Sequence, residues 1–235
     1  MDLNVKVAVR CRPMSSKETA RGCANIIAIQ PTSVHIKAVD AQHEDKDFTF
    51  DHCYGSDSIQ SQVYNDLGKP IVSQALDGFN GTIFAYGQTG SGKSFSMMGD
   101  SESKGIIPQL NEDLFEKLAE KLEAMEDVAL KQGDNAKTKF MVTVSFLEVY
   151  NEDIKDLLNP SDKKLKIHEN PKMGIYVEDL CELVSGLCDE CIHILRRVYP
   201  SSDHALWSYF MIFSLCTTCS PSPDHCSKTF ANSLN

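Results

Sequence analysis

The sequence has no surplus of positive charge, no membrane-length apolar run, no leader-like start and no internal repeat. Its 235 residues carry 23 Lys and Arg against 33 Asp and Glu, a net charge of −10. A domain that grips nucleic acid in general wants a basic surface, so that class is excluded, although a local basic patch is not. Met1-Asp2-Leu3-Asn4 lacks the basic and apolar regions of a signal peptide. The longest apolar stretch, Ala205 to Cys216, is too short to span a bilayer and contains Ser208 and Ser214. The nine cysteines are an odd number without a secretion signal, which argues against a disulfide framework. A cytosolic protein is expected. The 42% hydrophobic content suffices for a sizeable core, and the length fits one large domain or two small ones.

Against these absences stands Gly87-Gln88-Thr89-Gly90-Ser91-Gly92-Lys93-Ser94, which satisfies the G-x-x-x-x-G-K-[ST] phosphate-loop pattern. Gly81-Thr82-Ile83-Phe84-Ala85-Tyr86 before it reads as a buried strand, and Phe95-Ser96-Met97-Met98 after it opens a helix. Gly87, Gly90 and Gly92 allow a tight turn that brings main-chain N–H groups to phosphate oxygens. The helix start adds its dipole, Lys93 supplies a point charge for the β- and γ-phosphates, and the Ser94 hydroxyl is placed to ligate Mg²⁺. The expected ligands are therefore ATP and Mg²⁺.

The rest of the chain alternates strands and helices, which predicts an α/β domain. Val5 to Val9 reads as a strand stopped by Pro13, and Phe48-Thr49-Phe50 as a short one. Ile59, Val63, Leu67, Ile71 and Leu76 predict one amphipathic helix, kinked near Pro70. Ile107, Leu110, Leu114, Leu118 and Leu122 mark the buried stripe of the clearest helix. A polar loop over 131–137 follows. The strand from Phe140 to Val149 is apolar on both faces, so it is expected to be central or covered by helices. Leu165 to His168 and Ile175 to Val177 read as shorter strands, and Leu187 to Leu195 as a short helix.

Four stretches resemble the motor domain of the kinesins. They are Val5 to Pro13 with its R-x-R-P motif, Phe79 to Tyr86 running into the phosphate loop, Gly105-Ile106-Ile107-Pro108, and Glu148 to Leu158, which fits E-x-Y-N-E-x-x-x-D-L-L. The resemblance covers roughly residues 3–184 and is closest to N-terminal-motor, transport-type kinesins. It implies a P-loop NTPase with a kinesin-motor-like central mixed sheet flanked by helices, incomplete at its C-terminal side. It implies that Arg10 and Pro13 border the adenine and that Phe95 stacks on the base; the alternative is that Phe95 is only a core contact of its helix. It implies microtubule (tubulin) as partner, and cytoplasm and cytoskeleton as location. The one lesser microtubule-contact region maps to residues 163–172, where Lys163, Lys164, Lys166, His168 and Lys172 form either a basic patch for acidic tubulin or a solvated loop face.

The family's two switches, N-x-x-S-S-R-S-H and D-L-A-G-S-E, do not occur in this sequence, so no catalytic residue is assigned. Ser201-Ser202-Asp203-His204 is a faint echo of the first. The division expected is residues 1–184 as a partial motor domain, its nucleotide-binding half, and 185–235 as a divergent Cys/Ser-rich tail. Truncation, alternative splicing or a mis-predicted gene model each account for such a tail. The family places the 81–86 strand between two strands of later sequence, so here it would lack both neighbours. Leu206 to Phe213 either substitutes as a strand or is a non-native, aggregation-prone run. Cys188-x-x-Cys191 and Cys216-x-x-Cys219 are either zinc ligands or incidental cysteines. Three readings of the chain follow: an ATP-driven microtubule motor truncated before both switches and deficient in hydrolysis, a non-catalytic nucleotide-binding or interaction fragment, or a non-functional product.

Overall fold

The structure is a computed structural model that describes residues 5–132, 139–161, 163–171, 174–185 and 209–218. The N-terminal half begins with strand β1 (Ala8–Arg10) and the short helix α1 (Ser16–Ala20). An antiparallel meander follows, made of β2 (Ile27–Gln30), β3 (Ser33–Ile36) and β4 (Lys46–Thr49). Strand β5 (His52–Tyr54) returns to pair in parallel with β1, Ala8 opposite His52 and Arg10 opposite Tyr54. Val5 and Val7 stay exposed at 83% and 48%, because the three-residue β5 offers partners only to the last part of the alternating run.

The predicted amphipathic helix is broken into three. Helix α2 (Gln60–Val63) passes into a π-helical turn, Tyr64–Gly68, and then into α3 (Lys69–Leu76). Pro70 lacks the N–H that an α-helix would use to reach residue 66, and the Lys69 N–H bonds Tyr64 O instead, five residues back. Gly68 makes room for this: a Cβ there would meet the Tyr64 ring at 2.5 Å. The Tyr64 hydroxyl in turn donates to the Asp113 carboxylate at 2.6 Å. Burial and that acceptor together push the phenol well above its usual range.

Helix α4 (Lys93–Met97) starts at the phosphate loop, and α5 (Ile106–Gln132) is the long helix expected from the leucine stripe. Its bounds take in Lys131, and the remainder of the expected polar loop lies outside the described residues. Gly99 and Gly105 pinch the connection between α4 and α5. A Cβ on Gly105 would lie about 2.5 Å from Gly99 N and Met97 O, and Gly99 holds φ +80°. Only glycine permits both the approach and the left-handed turn.

Strand β6 (Lys139–Tyr150) is central, as its two apolar faces predicted. One edge carries β7 (Asp153–Asp156) and β10 (Leu183–Ser185), and the other carries β11 (Tyr209–Thr218), all antiparallel. Strands β8 (Ile167–Asn170) and β9 (Gly174–Val177) form a separate hairpin. Residues 142–147 of β6 are all buried, including Thr143 and Ser145. Val142 and Val144 pack on Val72 of α3 and on Leu114 and Leu118 of α5. Each such side chain contributes about 1.5–3 kcal/mol on burial.

One expectation is corrected. Residues 81–86 are not a buried strand: among the described residues they join no ladder, and Phe84 and Tyr86 are 73% and 95% exposed. A strand exists only where neighbours accept its main-chain groups, and β1/β5 and the β6 sheet are not hydrogen-bonded to this segment. The run 209–213 does become a strand, but it pairs with β6 rather than with 81–86. Only Ile83 turns inward, against Tyr54, Val63 and Ile106.

Two outcomes follow from this packing. Native-state hydrogen exchange will show the amides of 81–86 exchanging far faster than those of 142–147, and comparable protection would contradict the fold described. Leu114→Ala will cost about 2–5 kcal/mol in urea unfolding, since it empties the contact between α5 and β6.

Candidate functional site

The phosphate loop closes on itself. Gly87, Gly90 and Gly92 hold φ of +155°, +78° and +93°. Gly92 matters most, because a left-handed residue directly precedes Lys93 and sets the start of α4. Ser91 N donates to Gln88 O at 3.2 Å, tightening the turn, while Gln88 and Thr89 form the exposed tip. The Lys93 ammonium folds back into the loop and donates to Gly87 O at 2.8 Å and Gln88 O at 2.9 Å. Ser94 sits on the first turn of α4 behind it. The loop is supported from below by Ile83, Met97, Val63, Tyr54 and Ile106.

Beside the loop lies a cleft of about 160 Å³, bounded by Arg10 to Pro13, by Gly55, Ser56 and Ser58, and by Ser91, Gly92, Phe95 and Ser96. Five sequence-predicted site residues therefore line it: Arg10, Pro13, Ser91, Gly92 and Phe95. Pro13 is exposed at the rim. The Arg10 guanidinium lies 5.2 Å from the Phe95 ring centroid, in cation–π range, and burial lowers its pKa. Phe95 is 40% exposed and faces the cleft, which is not the environment of a core residue.

Sequence reasoning missed Gln60. Its buried carboxamide accepts from Arg10 Nη1 at 2.6 Å and donates to Phe95 O at 2.6 Å. No local pattern distinguishes it from the solvent-facing polar residues of an amphipathic helix. Arg12 belongs to the R-x-R-P motif. It makes a two-pronged contact with Glu18 at 2.8 and 2.6 Å, and Glu18 closes a capping box with Ser15. Arg12 and the Ser15 amide and hydroxyl hold the Glu18 carboxyl far below the usual carboxylate range.

Elsewhere, the basic cluster is largely paired. Lys163 bonds Asp179, Lys164 lies 2.7 Å from Asp153, and His168 lies 3.0 Å from Glu178. Lys172 is outside the described residues. That geometry favours the solvated mixed-charge face over a simple positive patch. A second cleft, about 270 Å³, opens between β2, β5 and α2 but is remote from the phosphate loop in its lining. Cys11, Cys23, Cys53 and Cys181 are free thiols. Cys216 falls on β11, while Cys188, Cys191 and Cys219, the short helix expected over 187–195, and Ser201 to His204 lie outside the described residues.

Comparison with known proteins decides the family. The kinesin motor domain model matches residues 10–204. This chain belongs to the kinesins. It is 44% identical over 201 residues to kinesin-related protein 1 of Dictyostelium discoideum, covering 77% of the chain and 9% of that protein. It is 38% identical to the kinesin heavy chain of Syncephalastrum racemosum (83% and 20% covered) and 42% identical to human kinesin-like protein KIF1B (77% and 10% covered). A solved structure of a fast kinesin superposes with TM-score 0.70 at 33% identity, covering 83% of this chain and 52% of that one. The fold is thus the mixed α/β kinesin motor fold, and the chain spans about half of that solved motor. The chain spans only a small part of the curated relatives. The family match runs to His204, past residue 184, and takes in the faint first-switch echo.

Glu18 yields a pH test. Its lowered pKa means that the brace to Arg12 is present above the ordinary carboxylate range and is lost only as pH falls through the depressed value. A carbon-detected titration will show Glu18 protonating well below the exposed glutamates of the same chain; a midpoint among theirs would refute the Arg12–Glu18 geometry.

Proposed function

We propose that residues 1–235 bind Mg·ATP as the nucleotide-binding part of a microtubule motor and, on their own, hold it without cycling. One observation carries the reading. A glycine cradle with its lysine turned inward opens directly onto a cleft walled by Arg10, Pro13 and Phe95. Ser91 and Gly92 of the loop line the same cleft as those three residues, which supports a ligand with phosphates at one end and a flat base at the other.

The cradle fits its ligand on structural grounds. Gly87 and Gly92 take conformations that a side chain would strain, and a Cβ on Gly87 would strike Ser91 Oγ at 2.5 Å. Lys93 is held by two carbonyls that phosphate oxygens replace, so its charge is positioned before the ligand arrives. Ser94 supplies a hydroxyl for Mg²⁺, which would otherwise be held by phosphate oxygens and water. When bound, Mg²⁺ screens the charge of the β- and γ-phosphates. Gln88, Thr89, Gly90 and Ser91 complete the wrap, Phe95 offers its ring to the base, and Arg10 and Pro13 flank it.

Hydrolysis needs a group that positions water and a carboxylate that holds the metal's water shell. Neither family switch occurs between residues 1 and 235, which supports binding without turnover. A second reading rests on the family match reaching His204: Ser201 to His204 act as a reduced first switch and give slow turnover. Microtubules are the proposed partner by family membership, and the ion-paired 163–179 face supports only a weak direct contact. The proposed location is the cytoskeleton, and no helix among the described residues is long and apolar enough to cross a membrane.

Calorimetry with Mg·ATP tests the site. Wild type will bind, and Lys93→Ala will lose about 10–100-fold in affinity, the worth of one or two charge-assisted hydrogen bonds. Equal binding by both proteins would reject the site. Phosphate release will not rise on adding microtubules; a robust stimulated rate would favour the second reading.

A further inference from the structure

We propose that Gln60 is a positioning residue for the base end of the cleft, a tie that orients Arg10 and Phe95 together. The proposal rests on the nucleotide reading above and extends it to a residue that neither the phosphate loop nor the R-x-R-P motif contains.

Gln60 opens α2 and is 6% exposed. Both ends of its amide are used. The oxygen accepts from Arg10 Nη1 at 2.6 Å, and the nitrogen donates to the Phe95 main-chain oxygen at 2.6 Å. Arg10 spends two more donors nearby, Nη1 on Ser96 Oγ at 3.1 Å and Nη2 on Ser58 O at 3.2 Å. The same guanidinium covers the Phe95 ring at 5.2 Å. One side chain therefore bridges β1, α2 and α4 where all three border the cleft.

The chemistry asks for an amide. The site needs an acceptor facing a guanidinium and a donor facing a carbonyl, at opposite edges of one flat group. A carboxylate offers the acceptor alone, and a thioether offers neither useful partner. A half-buried guanidinium that loses its short acceptor must turn or rehydrate, and the ring stacked under it loses its backing. Gln60 does not reach the phosphate loop itself: Lys93 is held by Gly87 and Gln88. Its influence falls on the base rather than on the phosphates.

That division supplies the test. The 235-residue chain and its Gln60→Met and Gln60→Glu variants are titrated calorimetrically with Mg·ATP and with Mg·tripolyphosphate, which carries the phosphates without the base. Q60M will lose about tenfold in affinity for Mg·ATP, the worth of one hydrogen bond to a charged group, and stay within about twofold for Mg·tripolyphosphate. Q60E, which keeps an acceptor for Arg10, will fall between wild type and Q60M for Mg·ATP. The tripolyphosphate arm also reports folding, because an unfolded variant binds neither ligand. Unchanged Mg·ATP affinity in Q60M overturns the proposal. Parallel loss of both ligands in Q60M and Q60E also overturns it, leaving Gln60 a general structural tie. Wild type binding neither ligand would sink the nucleotide reading first, and this inference with it.

Discussion

The apolar seam of α5 holds the described molecule together. Its first turn, through Ile106, closes the small core beneath the phosphate loop. Two and three turns later, Leu114 and Leu118 meet Val142 and Val144 of β6. No continuous ladder joins β1/β5 to the β6 sheet among the described residues, so this helix, with Val72 of α3, carries the connection between site and sheet. A single amphipathic helix does the work a central strand would share. The hydrogen bond from Tyr64 to Asp113 pins the same helix from the side.

The phosphate loop is braced from within. Lys93 is hydrogen-bonded to the carbonyls of Gly87 and Gln88, so its ammonium is not left bare in a half-buried pocket. On the other wall, Arg10 is held at four points by Gln60, Ser58, Ser96 and the Phe95 ring. Lys93 and the Arg10–Phe95 pair are thus braced by separate sets of contacts.

What the sequence disclosed and what it hid divide along physical lines. Local signals were readable: the glycine spacing of 87–94, the leucine period of α5, and the double apolar face of β6. So was the disturbance at Pro70, whose missing N–H appears as the π turn at 64–68. Signals that depend on distant partners were not. Gly81 to Tyr86 has the composition of a strand, and only the family resemblance implied that it would lack both neighbours; among the described residues none reaches it. Of the β2–β3–β4 meander only the end of β4 was readable, at Phe48-Thr49, because the strands are short and β2 and β4 are largely exposed, although Pro31-Thr32 between Ile29 and Val34 was an available turn cue. Gln60 went unread for a different reason: burial of a polar side chain has no one-dimensional signature.

The glycine pinch at 99 and 105 removes slack from the joint between two helices. Helix α4 ends two residues before it, and α5 begins one residue after it and runs for 27 residues, about 40 Å at the α-helical rise. With main chain packed on main chain there, no side chain cushions the joint, so a methyl group added at either glycine has to push the end of α4 and the start of α5 apart.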